Sequence, residues 1–225
     1  MEHATHTDGL YEIQKRILDV IASIFALLIF SPITIVVACI IKFTSQGPVF
    51  VEKSNAHMKR MGKDGKIFRL YKFRSMVVNA DVLEKTNPDY QKAYIEKHSN
   101  GHYKPKNDPR ITPIGKFIRK YSIDEMPQFI NVLRGEMSVV GPRPYLAEEL
   151  TEQQKKFPGT DKYVNEMQTV KPGITGPWQV GGRSELAFDQ RIKFDAEYAR
   201  KRSIWYDIYI MLRTPWAMIS AKGAY

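Results

Sequence analysis

The stretch SIDEMPQF (Ser122 to Phe129) places two adjacent carboxylates, Asp124 and Glu125, in a segment that is otherwise apolar and basic. Such a pair suits more than one kind of chemistry. Ser122 with Glu125 three positions on matches a capping box, in which each side chain satisfies an orphan backbone donor at a helix start. In that register Pro127 falls past the first turn and deletes the bond to the Ile123 carbonyl. With Asp124 as the cap, Pro127 lies inside the first turn, where its missing N–H costs little. Either register puts Asp124 at a helix N-terminus, which lowers its pKa and keeps it ionised. An ionised carboxylate there serves equally as an inert cap, a metal ligand or a nucleophile.

Cations surround the pair along the chain. Lys72 and Arg74 close YKFR, Arg119 lies about one helical turn before the pair, Arg134 follows it, and Arg143 sits in GPRP. Arginine forks match phosphate oxygens, and a proline on each side fixes the Arg143 backbone. An Asp-Glu pair can hold Mg²⁺, which would bridge a diphosphate. Taken singly, each of these cations is most often a solvated charge.

The elements that must position these residues belong to a chain of 225 residues with a net charge of +10, enough for one domain of ordinary size and suited to an anionic partner. The single cysteine, Cys39, excludes an intrachain disulfide and reads as a small apolar filler. His3, His6, His57, His98 and His102 show no metal-ligand spacing.

Ile17 to Ile41 is an apolar run of about 25 residues, long enough to cross a bilayer and too long for a cleavable signal sequence. Three features favour a helix that enters one leaflet and returns. Ser31-Pro32 falls mid-run, where a proline kinks a helix. Basic residues flank both ends, Lys15 and Arg16 before and Lys42 and Lys53 after, which keeps both ends on the cytoplasmic side. Asp19 prefers the headgroup region. The expectation is a re-entrant helix within an N-terminal segment 1–44, followed by a polar domain over 45–225. Near the end, Trp205, Tyr206, Tyr209 and Trp216 follow Arg200, Lys201 and Arg202 in a helix that suits either a membrane surface or a core.

Between these segments, GPVFVEK and KIFRLYKFRSM read as two strands joined through the Asp-Gly of MGKDGK. Residues Asp81 to Pro109 are polar without a period and read as a surface excursion or lid. Ile114, Phe117, Ile118 and Tyr121 form a helical stripe. FINVLRGEM and LAEELTEQQKKF read as helices, VVGPRPYL as an extended turn, VKPGITGPWQVGGRS as a loop, and the charged run from Ser184 as a helix. The predicted class is α+β, mostly helical, with a small β-hairpin.

KFRSM, DPRITPIGKFIRKYSIDEMPQFINVLRGEMSVVGPRP and VKPGITGPWQVGGRS occur in this order. Together they closely resemble the bacterial sugar transferases, the monotopic phosphoglycosyl transferases, from about Tyr11 to the final GAY. The resemblance implies transfer of a sugar-1-phosphate from a UDP-sugar to polyprenyl (undecaprenyl) phosphate, giving a polyprenyl diphosphate sugar and UMP. Such a step starts exopolysaccharide, capsule or O-antigen assembly at the inner membrane, with the catalytic domain facing the cytoplasm. It also implies Mg²⁺, a membrane helix broken at Ser31-Pro32, Asp124 as nucleophile through a covalent phosphosugar, and Glu125 supporting the metal or orienting Asp124. Lys72, Arg74, Arg119 and Arg143 are expected around the phosphates, and Gly176, Gln179 and Arg183 near the nucleotide-sugar.

The glycine-rich loop is more typical of larger members, so the chain reads as their catalytic part, and those relatives tend to dimerise. Val180-Gly-Gly-Arg183 stands where the family often has Val-Ser-Gly-Arg. Trp178 suits packing more than stacking on a base or sugar. Two other readings stand beside the enzyme: a membrane-bound scaffold whose basic face binds anionic lipid, and a nucleic-acid binder. No nucleic-acid-binding motif supports the latter.

Overall fold

The computed structural model describes residues 3–51, 58–89, 108, 110–181 and 186–219. Helix α1 (His3–Thr44) is continuous and carries Pro32 inside it. The expected break is therefore not a gap between two helices. Pro32 has no N–H for the Leu28 carbonyl; the Ser31 hydroxyl donates to that carbonyl instead, at 2.8 Å. Over Gly9–Thr44 the helix is long and apolar enough to cross a membrane.

The domain holds α1 on both sides of the proline. Before it, Asp19 is buried and its Oδ1 accepts from the Ser138 hydroxyl and the Val139 N–H, both at 3.0 Å. Arg16 donates to the Val132 and Leu133 carbonyls. After it, Val37 and Ile41 are buried against Phe73, Ile118 and Ile123. None of residues 24–36 is buried, and Phe25, Leu28 and Ile35 are largely exposed. An apolar stretch that the described residues leave uncovered suits lipid.

The hairpin forms, but with a different first strand. Strand β1 (Lys59–Met61) pairs antiparallel with β2 (Ile67–Arg69), Arg60 opposite Phe68. Among the described residues, GPVFVEK contributes one isolated bridge, Phe50 to Phe73. A 3₁₀ turn over Lys63–Gly65 closes the hairpin, with Asp64 and Gly65 left-handed, as an Asp-Gly turn requires. Helix α2 (Ala80–Thr86) opens the stretch expected to lack structure, while most of Asp81 to Pro109 lies outside the described residues.

Helix α3 (Pro113–Lys120) starts as its sequence dictates. Thr112 caps it by accepting from the Gly115 N–H at 3.0 Å, and Pro113 occupies the first turn. Its stripe divides: Ile118 is fully buried, whereas Phe117 and Tyr121 stay half exposed. Helix α4 (Gln128–Leu133) is short and ends before Gly135, which takes φ 77°. Strand β3 (Ser138–Val140) then pairs in parallel with β4 (Gly173–Thr175), a sheet inside two segments that read as loops. The backbones cross closely: a Cβ at Gly173 would lie 2.1 Å from the Gly141 nitrogen.

Helices α5 (Ala147–Lys156) and α6 (Asp161–Met167) connect these strands. Helix α7 (Pro177–Gly181) occupies the rest of the glycine-rich loop, and α8 (Phe188–Lys201) buries Phe188, Ile192 and Ala196. Helix α9 (Ile204–Ile219) buries one side in the core and leaves aromatic residues exposed on the other. Asp207 and Ile210 are fully buried, while Trp205 and Trp216 are 81% and 71% exposed. Cys39 is exposed on α1 rather than filling a core.

Candidate active site

Neither capping register forms. Ile123–Glu125 is a 3₁₀ turn entered through Ser122, whose φ is 55°, and α4 begins only after Pro127. No side chain caps this turn. The turn points the carboxylates of Asp124 and Glu125 toward the end of β2 instead of toward helix N–H groups. Phe73, beyond β2, donates its N–H to the Asp124 carbonyl at 3.0 Å and so fixes the turn to the hairpin.

Asp124 is 2% exposed. Lys72 Nζ lies 2.8 Å from its Oδ2 and 3.4 Å from Glu125 Oε1, so one ammonium faces both carboxylates. Burial pushes the Asp124 carboxyl above the usual aspartate range; Lys72 and Arg119 oppose that shift, while Glu125 adds to it. This reverses the lowered pKa expected of a helix cap. For Lys72, burial disfavours the ammonium, but Glu125 and Asp124 outweigh it and its pKa is raised. Arg119, at the end of α3, acts electrostatically on both Asp124 and Lys72. Lys72, Arg119, Asp124 and Glu125 thus form one charged group.

Arg74 is placed elsewhere. Its guanidinium donates to the Ser45 carbonyl at 3.1 Å, the Ser45 hydroxyl at 2.8 Å and the Gln46 carbonyl. It therefore ties down the chain leaving α1. Arg134 is paired with Glu136 at the surface.

Arg143 belongs to a second group built on α8. Between Pro142 and Pro144 only Arg143 has an N–H, and it donates to Asp195 Oδ2 at 3.3 Å. Asp195 is fully buried, and burial pushes its carboxyl well up against the pull of Arg143 and Arg191. Arg191 lies over the Trp178 ring at 5.6 Å, and Trp178 is 7% exposed, a packed position. Gly176 and Gln179 join here: a Cβ at Gly176 would meet the Gly141 carbonyl at 2.3 Å and Gln179 Oε1 at 2.7 Å. Arg183 lies outside the described residues.

Sequence reasoning passed over Asp195 and Asp207. Each is a lone carboxylate on a helix face that turns inward. Asp195 could be found from its spacing to Phe188 and Ile192, which places it on the buried stripe of α8. Asp207 is held by Lys15 at 3.2 Å, the Tyr11 hydroxyl at 3.0 Å and the Tyr198 hydroxyl at 2.6 Å.

Among the described residues, no three or more His, Cys, Asp or Glu side chains converge as a metal site. Asp124 and Glu125 supply two carboxylates, one buried and one with a side chain 41% exposed. That donor set fits Mg²⁺, which commonly takes one or two carboxylates and completes its shell with water and substrate phosphate.

Residues 10–221 match the family model described as bacterial sugar transferase. The chain belongs to that family. Three relatives of this sugar transferase illustrate its range. It is 42% identical over 214 residues to the "Undecaprenyl-phosphate galactose phosphotransferase" of Salmonella typhimurium, covering 94% of this chain and 41% of the relative. It is 36% identical over 228 residues to the "UDP-glucose:undecaprenyl-phosphate glucose-1-phosphate transferase" of Escherichia coli K12, covering 98% and 43%. It is 39% identical over 215 residues to the "Exopolysaccharide production protein ExoY" of Rhizobium meliloti, covering 94% and 88%. The sugar transferase thus spans about two fifths of the first two relatives and most of the third.

Proposed function

We propose that the chain transfers a sugar-1-phosphate from a UDP-sugar to polyprenyl phosphate at the cytoplasmic face of the inner membrane, in exopolysaccharide assembly. The observation that carries this reading is the buried Asp124 carboxylate held by Lys72 at 2.8 Å, at the end of the domain where α1 packs. The names of the relatives supply the substrate class.

In the first step an Asp124 carboxylate oxygen attacks the sugar-side phosphorus. The bond from that phosphorus to the bridging oxygen breaks and UMP leaves. A carboxylate nucleophile divides one difficult transfer into two easier ones. In the second step a phosphate oxygen of the polyprenyl phosphate attacks the same phosphorus, and Asp124 departs as a carboxylate. Lys72 orients Asp124 and favours its ionised form. Lys72 and Arg119 then balance the charge on the transferring phosphoryl oxygens. Glu125, with Asp124, would hold Mg²⁺, whose charge neutralises the diphosphate. Arg143, fixed by Asp195, is proposed to contact the donor.

The experiment is to incubate the purified protein with Mg²⁺, undecaprenyl phosphate and a panel of UDP-sugars, and to separate UMP from UDP. Repeated UMP release that needs both the lipid and Asp124 is expected, with no more than about one UMP per enzyme when the lipid is left out. UDP release, or UMP release by Asp124→Asn at the native rate, would reject the mechanism.

A further inference from the structure

The proposed acceptor is an anion carrying a long apolar chain, and the surface beside the dyad offers both chemistries. Phe43, in the last turn of α1, is 86% exposed, and Phe50 is 45% exposed. The Phe50 ring stacks on Phe73 with centroids 5.2 Å apart and planes 10° apart. Phe73 is the residue whose N–H holds the Asp124 carbonyl, and its chain neighbour Lys72 carries the ammonium on the Asp124 carboxylate. An exposed apolar ring therefore lies one stacked partner away from the dyad turn. Upstream, Ile35 and Val36 of α1 are also exposed, so apolar surface continues along the membrane helix.

The segment carrying these rings is fixed. Arg74 donates from its side chain to the Ser45 and Gln46 carbonyls and from its backbone to the Val49 carbonyl at 2.9 Å. Gly47 takes φ 109°, and a Cβ there would lie 2.6 Å from Arg74 Nη1, so the strand of chain lies directly on the guanidinium. A side chain this buried, donating to the Ser45 and Gln46 carbonyls and the Ser45 hydroxyl, serves to hold a shape.

We propose that Phe43 and Phe50, on the segment pinned by Arg74, contact the isoprenyl chain of the lipid acceptor and lead it from the apolar face of α1 to the dyad. The inference rests on the reading given under Proposed function. Charge complementarity and continuity select the occupant. Lys72 and Arg119 receive the phosphate, and the two rings receive the first isoprene units, so an amphiphile with its anion at the chain end fits both.

The test compares undecaprenyl phosphate with a ten-carbon isoprenyl phosphate as acceptors in detergent, following UMP release by wild type, Phe43→Ala and Phe50→Ala. Phe43 is so exposed that its removal leaves packing intact, which covers the case in which Phe50→Ala fails to fold. The expected result is a KM for undecaprenyl phosphate raised roughly fivefold to tenfold. The preference for the long chain over the short one shrinks with it, and the UDP-sugar KM does not move. Equal losses with both acceptors, or unchanged preference in Phe43→Ala, would overturn the proposal. So would release of the variants from membrane vesicles with native preference retained, which would make the rings a general anchor. Absence of UMP from wild type with every donor would instead defeat the underlying reading.

Discussion

The Lys72 ammonium lies 2.8 Å from Asp124 Oδ2 and 3.4 Å from Glu125 Oε1, so a single cation holds both carboxylates of the dyad. Lys72→Met leaves Asp124 buried without that partner, and a buried unpaired charge is costly. UMP release is expected to fall on the order of 100-fold, with Lys72→Arg retaining more activity than Lys72→Met. A Lys72→Met enzyme with native kcat would remove Lys72 from the mechanism.

The acidity of Asp124 sets a pH profile. Burial raises its pKa, Lys72 and Arg119 oppose the rise, and Glu125 adds to it. Attack requires the ionised form, so the acid limb of kcat/KM is expected above the ordinary aspartate value of about 4. Glu125→Gln removes one raising influence, and the limb should move to lower pH. A limb that moves upward would belong to another group.

Arg74 makes a stability prediction. Its removal strands carbonyls at the end of α1, and Arg74→Ala is expected to cost about 1–3 kcal/mol in a denaturant melt. Arg74→Lys should recover only part, since a single ammonium cannot reproduce the planar fork that reaches Ser45 and Gln46 together. Native stability in Arg74→Ala would contradict the bracing role.

Asp195 gives a pH-dependent stability prediction of defined sign. Its folded-state pKa is raised well above the ordinary value, so the folded state holds the proton more tightly than the unfolded one. The associated stability is present below the unfolded value of about 4 and is lost as pH rises toward the folded pKa. Asp195→Asn keeps an oxygen for the Arg143 N–H and does not ionise. Its Tm relative to wild type should therefore improve from pH 5 to pH 8; a Tm difference constant with pH would refute this.

Asp207 links α9 to the foot of α1 through Lys15 and Tyr11. Asp207→Ala leaves the ammonium and two hydroxyls without their shared acceptor. Lys15 keeps Asp19 at 3.4 Å and the Tyr198 hydroxyl keeps the Val140 carbonyl at 3.1 Å, so the expected cost is about 1–3 kcal/mol, with faster proteolysis near Tyr11. Unchanged cleavage would mean that other contacts fix α1.

Some of this architecture was legible locally. Thr112-Pro113 dictates the start of α3, Asp64-Gly65 dictates the hairpin turn, and the Asp124-Glu125 pair stands out by type and spacing. These features depend on neighbours within a few residues, so a one-dimensional pattern contains them. The same pattern misplaced the first strand of the hairpin and hid the β3–β4 sheet. That sheet has three-residue strands whose partner lies more than thirty positions away, with glycine supplying close approach rather than a hydrophobic signal.

The sequence by itself determined the long apolar helix, the adjacent Asp124-Glu125 pair, the basic surroundings and the family resemblance. Only the tertiary structure decided what each cation serves. Lys72 and Arg119 join the dyad, Arg143 joins Asp195, and Arg74 braces the exit of α1. It also reversed the expected acidity of Asp124, because burial opposes ionisation whereas a helix start would favour it. Charge is a property of a residue type, but burial and partnership arise only when distant segments pack together.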